Sequence, residues 1–189
     1  MAYTTAADVK IYLGIPSATT TDDTLIGSLI TRAQKIIEEY TGRLFEAATL
    51  TKYFTIDDID GQYLYLYHDD LLTVTTLTNG DGDTIASANF RLEPMNSNPK
   101  WAIRLDKDTD WEFTDSDSRI TVAGTWAYTA TAPYDIVHAC IRLVSFLYRQ
   151  KDTAADVDRP MMTGDGVTIM PSQLPKDVQM ILDKYRRRI

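Results

Sequence analysis

The apolar residues Leu25, Ile26, Leu29, Ile30, Ala33, Ile36, Ile37 and Tyr40 recur three or four positions apart, and the pattern stops at Thr41-Gly42. That spacing lines one face of an α-helix. The period then changes. The segments "LTKYFTI", "QYLYLY", "LLTVTTLT", "FRLE", "WAIRL" and "RITVAGTWAY" are rich in β-branched and aromatic residues, and several alternate with period two. After Pro133 a helical pattern returns. Helices and strands segregated in this way specify α+β architecture and not a parallel α/β sheet. The expected fold is an α-helical bundle of about four helices with an inserted antiparallel β-rich region.

Local signals refine the boundaries. Thr5, with Asp8 three residues on, predicts a capped first helix that Gly14 and Pro16 end. Thr21 is the expected N-cap of a second helix over residues 22–41, with Asp22 and Asp23 in its first turn. Gly42 suits a left-handed stop, after which Phe45 can fold back. Turn signals at Asp60-Gly61, Asn79-Gly80-Asp81-Gly82, residues 94–99 and residues 115–118 divide the strands. In "YDIVHACIRLVSFLYRQK" only His138, Arg142, Ser145 and Arg149 form a polar stripe, so this third helix must be enclosed on several sides. The stretch from Asp152 to Pro175 has no clear period and reads as a long loop or arm. "PKDVQMILDKYRRRI" closes the chain as a basic amphipathic helix, with Val178, Ile181, Leu182 and Tyr185 on one face. The expected parts are N-terminal helices (1–49), a β-rich insertion (50–130), a central helix (131–152), an arm (153–175) and a C-terminal basic helix (176–189).

Charge narrows the function classes. The formal charge is −8, which argues against nonspecific clamping of a nucleic-acid backbone. Residues 176–189 carry five bases and two acids, net +3, so the other 175 residues carry −8 − 3 = −11. An acidic body with a basic end implies either a partner for that end or cations placed to suit a helix dipole. No apolar run approaches the ~20 residues a bilayer span needs, and the start lacks the basic and apolar regions of a signal peptide. One cysteine, Cys140, excludes an internal disulfide and suits a reducing compartment.

The search for chemistry yields weak candidates. His138 and Cys140 lie two apart on a helix, roughly 200° around it, and cannot face each other. His68-Asp69-Asp70 could supply metal ligands for a small metal-dependent hydrolase, but no second histidine is near in sequence and a strand-end turn is the better reading. "NGDGDT" opens like a calcium loop, but its sixth and twelfth positions are Thr84 and Phe90 where Gly and Glu belong, so a hairpin turn is the better reading. The acidic stretch 106–118, around Trp111 and Phe113, reads as a solvated strand pair with aromatics inward, or a weak cation site. Exposed Trp101, Trp111 or Trp126 could serve a β-rich carbohydrate or host-surface binding module. No Gly-rich phosphate loop, nucleophile elbow or zinc spacing occurs. Neither a catalytic set nor a cofactor is expected.

Several phrases in order resemble one family. "DDTLIGSLITRAQKIIEEYTGRLF", "LYLYHDDLLTVTTLTNGDGDTI", "FRLEPMNSNPKWAIRL" and "ITVAGTWAY", followed by "DIVHACIRL" and "LYRQKD", are similar to the head–tail connector (adaptor, head completion) proteins of tailed bacteriophages and prophages. The resemblance covers most of the chain to about Asp152. It implies a virion component without enzymatic activity, assembled as a typically dodecameric ring beneath the portal protein. That ring extends the DNA channel, through which double-stranded DNA passes without specific binding, and receives a stopper or tail completion protein. The implied location is the virion head–tail interface, with host cytoplasm during assembly and no membrane.

Two sets of contact residues are expected on this reading. Lys184, Tyr185, Arg186, Arg187 and Arg188 are placed to dock the last helix onto the portal, ordering on binding at the end of a mobile arm, so deleting residues 175–189 should leave the fold intact. Arg32, Lys35, Glu38 and Glu39 on the second helix, with His138, Arg142 and Arg149 on the third, are the expected subunit interface.

Overall fold

A computed structural model describes residues 2–115, 117–151, 161–162, 168–169 and 174–187. The fold is mixed α+β, in two units. One comprises residues 1–42 and 132–189; the other comprises residues 43–131.

The first unit is helical, with α1 (Ala6–Leu13), α2 (Asp23–Thr41), α3 (Tyr134–Gln150) and α4 (Lys176–Tyr185). α1 begins at a complete capping box. The Thr5 side chain accepts from the Asp8 amide, the Asp8 carboxylate accepts from the Thr5 amide, and Gly14 closes the helix at φ 73°. α2 starts one residue later than expected, because Asp22 and not Thr21 is its N-cap. Asp22 makes no side-chain cap and instead accepts from Lys151 Nζ at 2.7 Å and from the Tyr148 hydroxyl. An ion pair to a charged amine outcompetes a neutral amide for that carboxylate. Gly42 ends α2 at φ 66°, a conformation that favours glycine, and its amide donates to Glu38 O at 2.8 Å.

The stripe of α2 is narrower than the sequence pattern. Ile26, Ile30, Ala33 and Ile37 are buried, while Leu29, Ile36 and Tyr40 flank them half-covered and Leu25 is exposed. Each fully buried isoleucine contributes ~1.5–3 kcal/mol. α2 packs on α3, and α3 also meets α1 and α4. Ile136, Ala139, Cys140, Leu143 and Val144 form the buried face of α3, but Ser145, on the opposite side, is buried as well and donates to Ile141 O. Cover on opposite sides is the enclosure that the apolar character of this helix requires.

α4 is folded against α2 and α3, with Val178 and Leu182 fully buried. This corrects the expectation that residues 175–189 can be deleted with the fold left intact. Its loss would remove two core aliphatics and uncover the faces of α2 and α3 on which α4 packs. Within the expected arm, β9 (Met161–Met162) and β10 (Thr168–Ile169) form a short antiparallel pair. Residues 153–160, 163–167 and 170–173 of the arm, and Arg188, lie outside the described residues.

The second unit holds two antiparallel sheets. The first has the order β1 (Ala48–Phe54), β8 (Ile120–Trp126), β4 (Leu71–Thr78), β5 (Thr84–Ile85); the second has β2 (Ile59–Asp60), β3 (Tyr63–Tyr65), β7 (Ala102–Leu105), β6 (Phe90–Glu93). β8 alternates strictly between buried and half-buried, as a strand with one face in a core must. Leu71, Leu77, Ile120, Val122 and Trp126 from one sheet join Leu64, Ile103 and Leu105 from the other in a single core. β4 passes so close to Gly124 that a Cβ there would lie 2.2 Å from Thr73 O, so only glycine fits. Among the described residues of 106–118 the expected strand pair is not formed. An isolated Gly80–Phe113 bridge is present, and Trp111 and Phe113 still pack against the core.

Candidate functional site

Two surface features stand out on the β unit, and neither resembles a catalytic constellation. The first lies on the second sheet. Alternate residues of a strand share a face, so Leu64 enters the core and Tyr63 and Tyr65 point the other way. Tyr65 is the centre of an aromatic group: its ring lies 6.0 Å from Tyr63, 5.7 Å from Tyr67 and 5.8 Å from Trp101. Trp101 is 51% exposed and Tyr67 62%. Arg104, opposite Tyr63 in the register, places its guanidinium 5.3 Å from that ring. The loop before Trp101 is fixed from below, because buried Lys100 donates to Pro94 O at 2.5 Å and Met95 O at 3.1 Å.

The second feature is an open acidic basin of about 370 Å³ between the β4–β5 turn and the loop after β7, lined by Asp81, Asp83, Asp108, Asp110 and Glu112 among others. Asn79 holds the two loops together. Its amide donates to Asp110 O at 3.2 Å, and its side-chain oxygen accepts from the Gly80 and Glu112 amides. A hydrogen bond to Asp81 and the charge of its neighbours hold the Glu112 carboxyl above its usual range. Among the described residues no group of three or more His, Cys, Asp or Glu is placed to hold a metal ion.

Asp69 pairs with Lys52, Asp70 with Arg43 at 2.8 Å, and His68 is exposed at the turn. The two carboxylates of the supposed metal triplet therefore each hold a cation. "NGDGDT" is the β4–β5 hairpin turn, with Leu77 facing Ile85. Trp126 is not exposed, contrary to expectation: it is 1% accessible and donates its indole N–H to Leu50 O. Trp111 is half-buried, which leaves Trp101 as the exposed one of the three. Cys140 is buried, and burial pushes its thiol up to about 12.

On the helical unit, Arg32, Lys35 and Glu39 are exposed, whereas Glu38 accepts from Tyr3 and Gln34. His138 meets Tyr12 edge-on, and Arg142 donates to Asp177 at 2.6 Å and to the Tyr12 hydroxyl. Arg149 is exposed near the end of α3. At the basic end, the Arg187 amide donates to Thr41 O, Arg186 lies 5.7 Å from the Tyr40 ring, and Tyr40 donates to Asp183. Cations thus gather at the C-terminus of α2, the negative end of its dipole. Lys184 is exposed, and Tyr185 is half-buried.

The aromatic group and the basin were not found from sequence. Alternate tyrosines in "QYLYLY" signal a shared face, but Trp101 joins them only through β3–β7 pairing. The two acidic loops are separate in sequence and meet through Asn79.

A family model for head completion proteins matches residues 2–188. The chain belongs to the head completion protein family. It is a structural protein of a phage-type head–tail connector, as the motif series implied. Three solved structures share the fold of this family member. They are the neck of an empty gene transfer agent particle computed with C6 symmetry (TM-score 0.64, 19% identity, 97% of this chain and 89% of that one), the neck of the native particle computed with C12 symmetry (0.65, 18%, 97% and 88%), and the native gene transfer agent virion (0.63, 20%, 97% and 89%). No curated protein sequence matches the chain. Among the described residues, no helix is long and apolar enough to cross a membrane.

Proposed function

We propose that this head completion protein assembles head-to-tail with copies of itself into a ring, typically of twelve, below the portal protein. The ring extends the DNA channel and receives a stopper or tail completion protein in the virion, after assembly in the host cytoplasm. The observation that carries this reading is the family match over residues 2–188, in a fold shared with a particle neck computed with C12 symmetry. A heterologous contact whose rotation closes makes such a ring. The net charge of −8 suits a wall past which DNA slides, because repulsion prevents phosphate clamping. A ring of this kind performs no reaction.

In this reading the four helices act as one bundle. Exposed Arg32, Lys35 and Glu39 are available to a neighbouring subunit, and exposed Lys184 and Arg186 to the portal. Mixing the chain with the portal protein of the same phage genome, and imaging the product by electron microscopy, tests the assembly. Rings stacked on portals are the expected result, and persistent absence of binding between folded partners overturns it. Lys184→Glu with Arg186→Glu should weaken portal binding about tenfold without changing the fold. These exchanges replace truncation of α4, which would take the buried Leu182 out of the core.

A further inference from the structure

We propose that the aromatic face of the second sheet is one half of a head-to-tail contact between copies of this chain, and that the acidic basin of the next copy is the other half. This inference rests on the ring reading and names the surfaces that build it. A closing head-to-tail contact needs two different, complementary patches on one molecule. The β unit carries both, separated along β7. Trp101 precedes the first residue of that strand, and Asp108, Asp110 and Glu112 follow its last. At ~3.3 Å per residue, the seven steps from Trp101 to Asp108 span up to about 23 Å.

The chemistry of the two patches is complementary. Tyr, Trp and Arg are the residue types that dominate the energetics of protein interfaces. Here Tyr65 is already stacked on Trp101, and Lys100 fixes the adjoining loop, so little side-chain freedom remains to be lost on contact. Arg104 has no carboxylate partner among the described residues, only the Tyr63 ring. The basin has the opposite deficit. No cation lies within ion-pair distance of its five acids among the described residues, and like charges crowd Glu112. An arriving guanidinium relieves that repulsion and gains a charge-assisted hydrogen bond. Duplex DNA is a poor occupant of the aromatic face, because one available arginine on a chain of charge −8 neutralises too few phosphates.

The test uses the full chain under the ring-forming conditions given above. Trp101→Ala, Tyr67→Ser and Arg104→Glu should each cut the yield of rings at least tenfold. The double exchange Asp110→Lys with Glu112→Lys should do the same, and combining it with Arg104→Glu should restore rings. Tyr67 lies outside the strands, and its variant guards against misfolding; an unchanged near-ultraviolet circular dichroism spectrum verifies the fold. Wild-type rings with undiminished yield in all three face variants would overturn the proposal and leave the ring reading standing. Loss in Arg104→Glu without rescue by basin reversal also overturns it, assigning the face to another partner. Absence of rings from the wild-type chain sinks both readings.

Discussion

In the helical unit, ion pairs tie one element to another: Lys10 to Asp23 at 2.5 Å, Lys151 to Asp22, and Arg142 to Asp177. The β unit has ion pairs too, Arg43 with Asp70, Lys52 with Asp69 and Arg91 with Asp106, but it also holds the acidic basin, which has no cation among the described residues. The contrast separates two uses of charge. Where opposite charges meet across helices, they set the register of packed elements. Where like charges are held together by Asn79, they lie unneutralised by any cation among the described residues, which is what the proposed subunit contact would use.

The two units can be probed separately, because all three tryptophans lie in the β unit. The largest expected effect is in the helical unit. Leu182→Ala, emptying a fully buried site on α4, should cost about 2–5 kcal/mol, read as a lower urea midpoint in far-ultraviolet ellipticity. An unshifted midpoint would mean that α4 contributes no core. Next is the β unit. Gly124→Ala forces a Cβ against Thr73 O and should cost about 1–3 kcal/mol, with tryptophan emission as the readout. Smaller again is Thr5→Ala, which breaks the capping box of α1 and should cost about 1 kcal/mol by the same urea assay.

The smallest effects have opposite signs with pH. Asp22 and Asp177 sit below the ordinary carboxylate value because Lys151 and Arg142 bond them. Their contribution is present above the unfolded value of 3.8 and is lost as pH falls through their lowered folded values. Glu112 is raised, chiefly by its hydrogen bond to Asp81. Its stabilising contribution is present below the unfolded value of 4.5 and is lost as pH rises through its raised folded value. Acidification from about pH 7 to about pH 5 should therefore slightly stabilise the β unit and leave the helical ion pairs untouched. Glu112→Gln should remove the gain, measured by tryptophan-detected unfolding at both values. An equal gain in the variant would locate the titration elsewhere.

The helices were legible because their signals are local. Thr5 with Asp8, Gly14 and Gly42 act within one turn of the residues they cap, so neighbours in sequence suffice to place them. Thr21 misled because Asp22 found a distant partner in Lys151, and no local rule contains that competition. Strands were equally visible from β-branched alternation, but their order was not. β8 lies between β1 and β4, pairing Phe54 with Ile120 and Thr78 with Thr121. The expected exposure of Trp126, and the expectation that the basic end can be deleted without harm, failed for the same reason. Burial of an indole, or the seating of Arg186 and Arg187 at the end of α2, depends on elements far away in the chain.

By itself, the sequence determined the α+β class, the capped helices, the hairpin at Asn79 and, through its ordered motifs, the head–tail connector family. Period, capping and turn chemistry are short-range effects, and a motif series survives without coordinates. Only the tertiary structure decided that four aromatic rings share one exposed face and that two acidic loops make one basin. Those surfaces are created by strand pairing and by the Asn79 bridge, and long-range pairing is selected by the whole core and not by the residues that end up side by side.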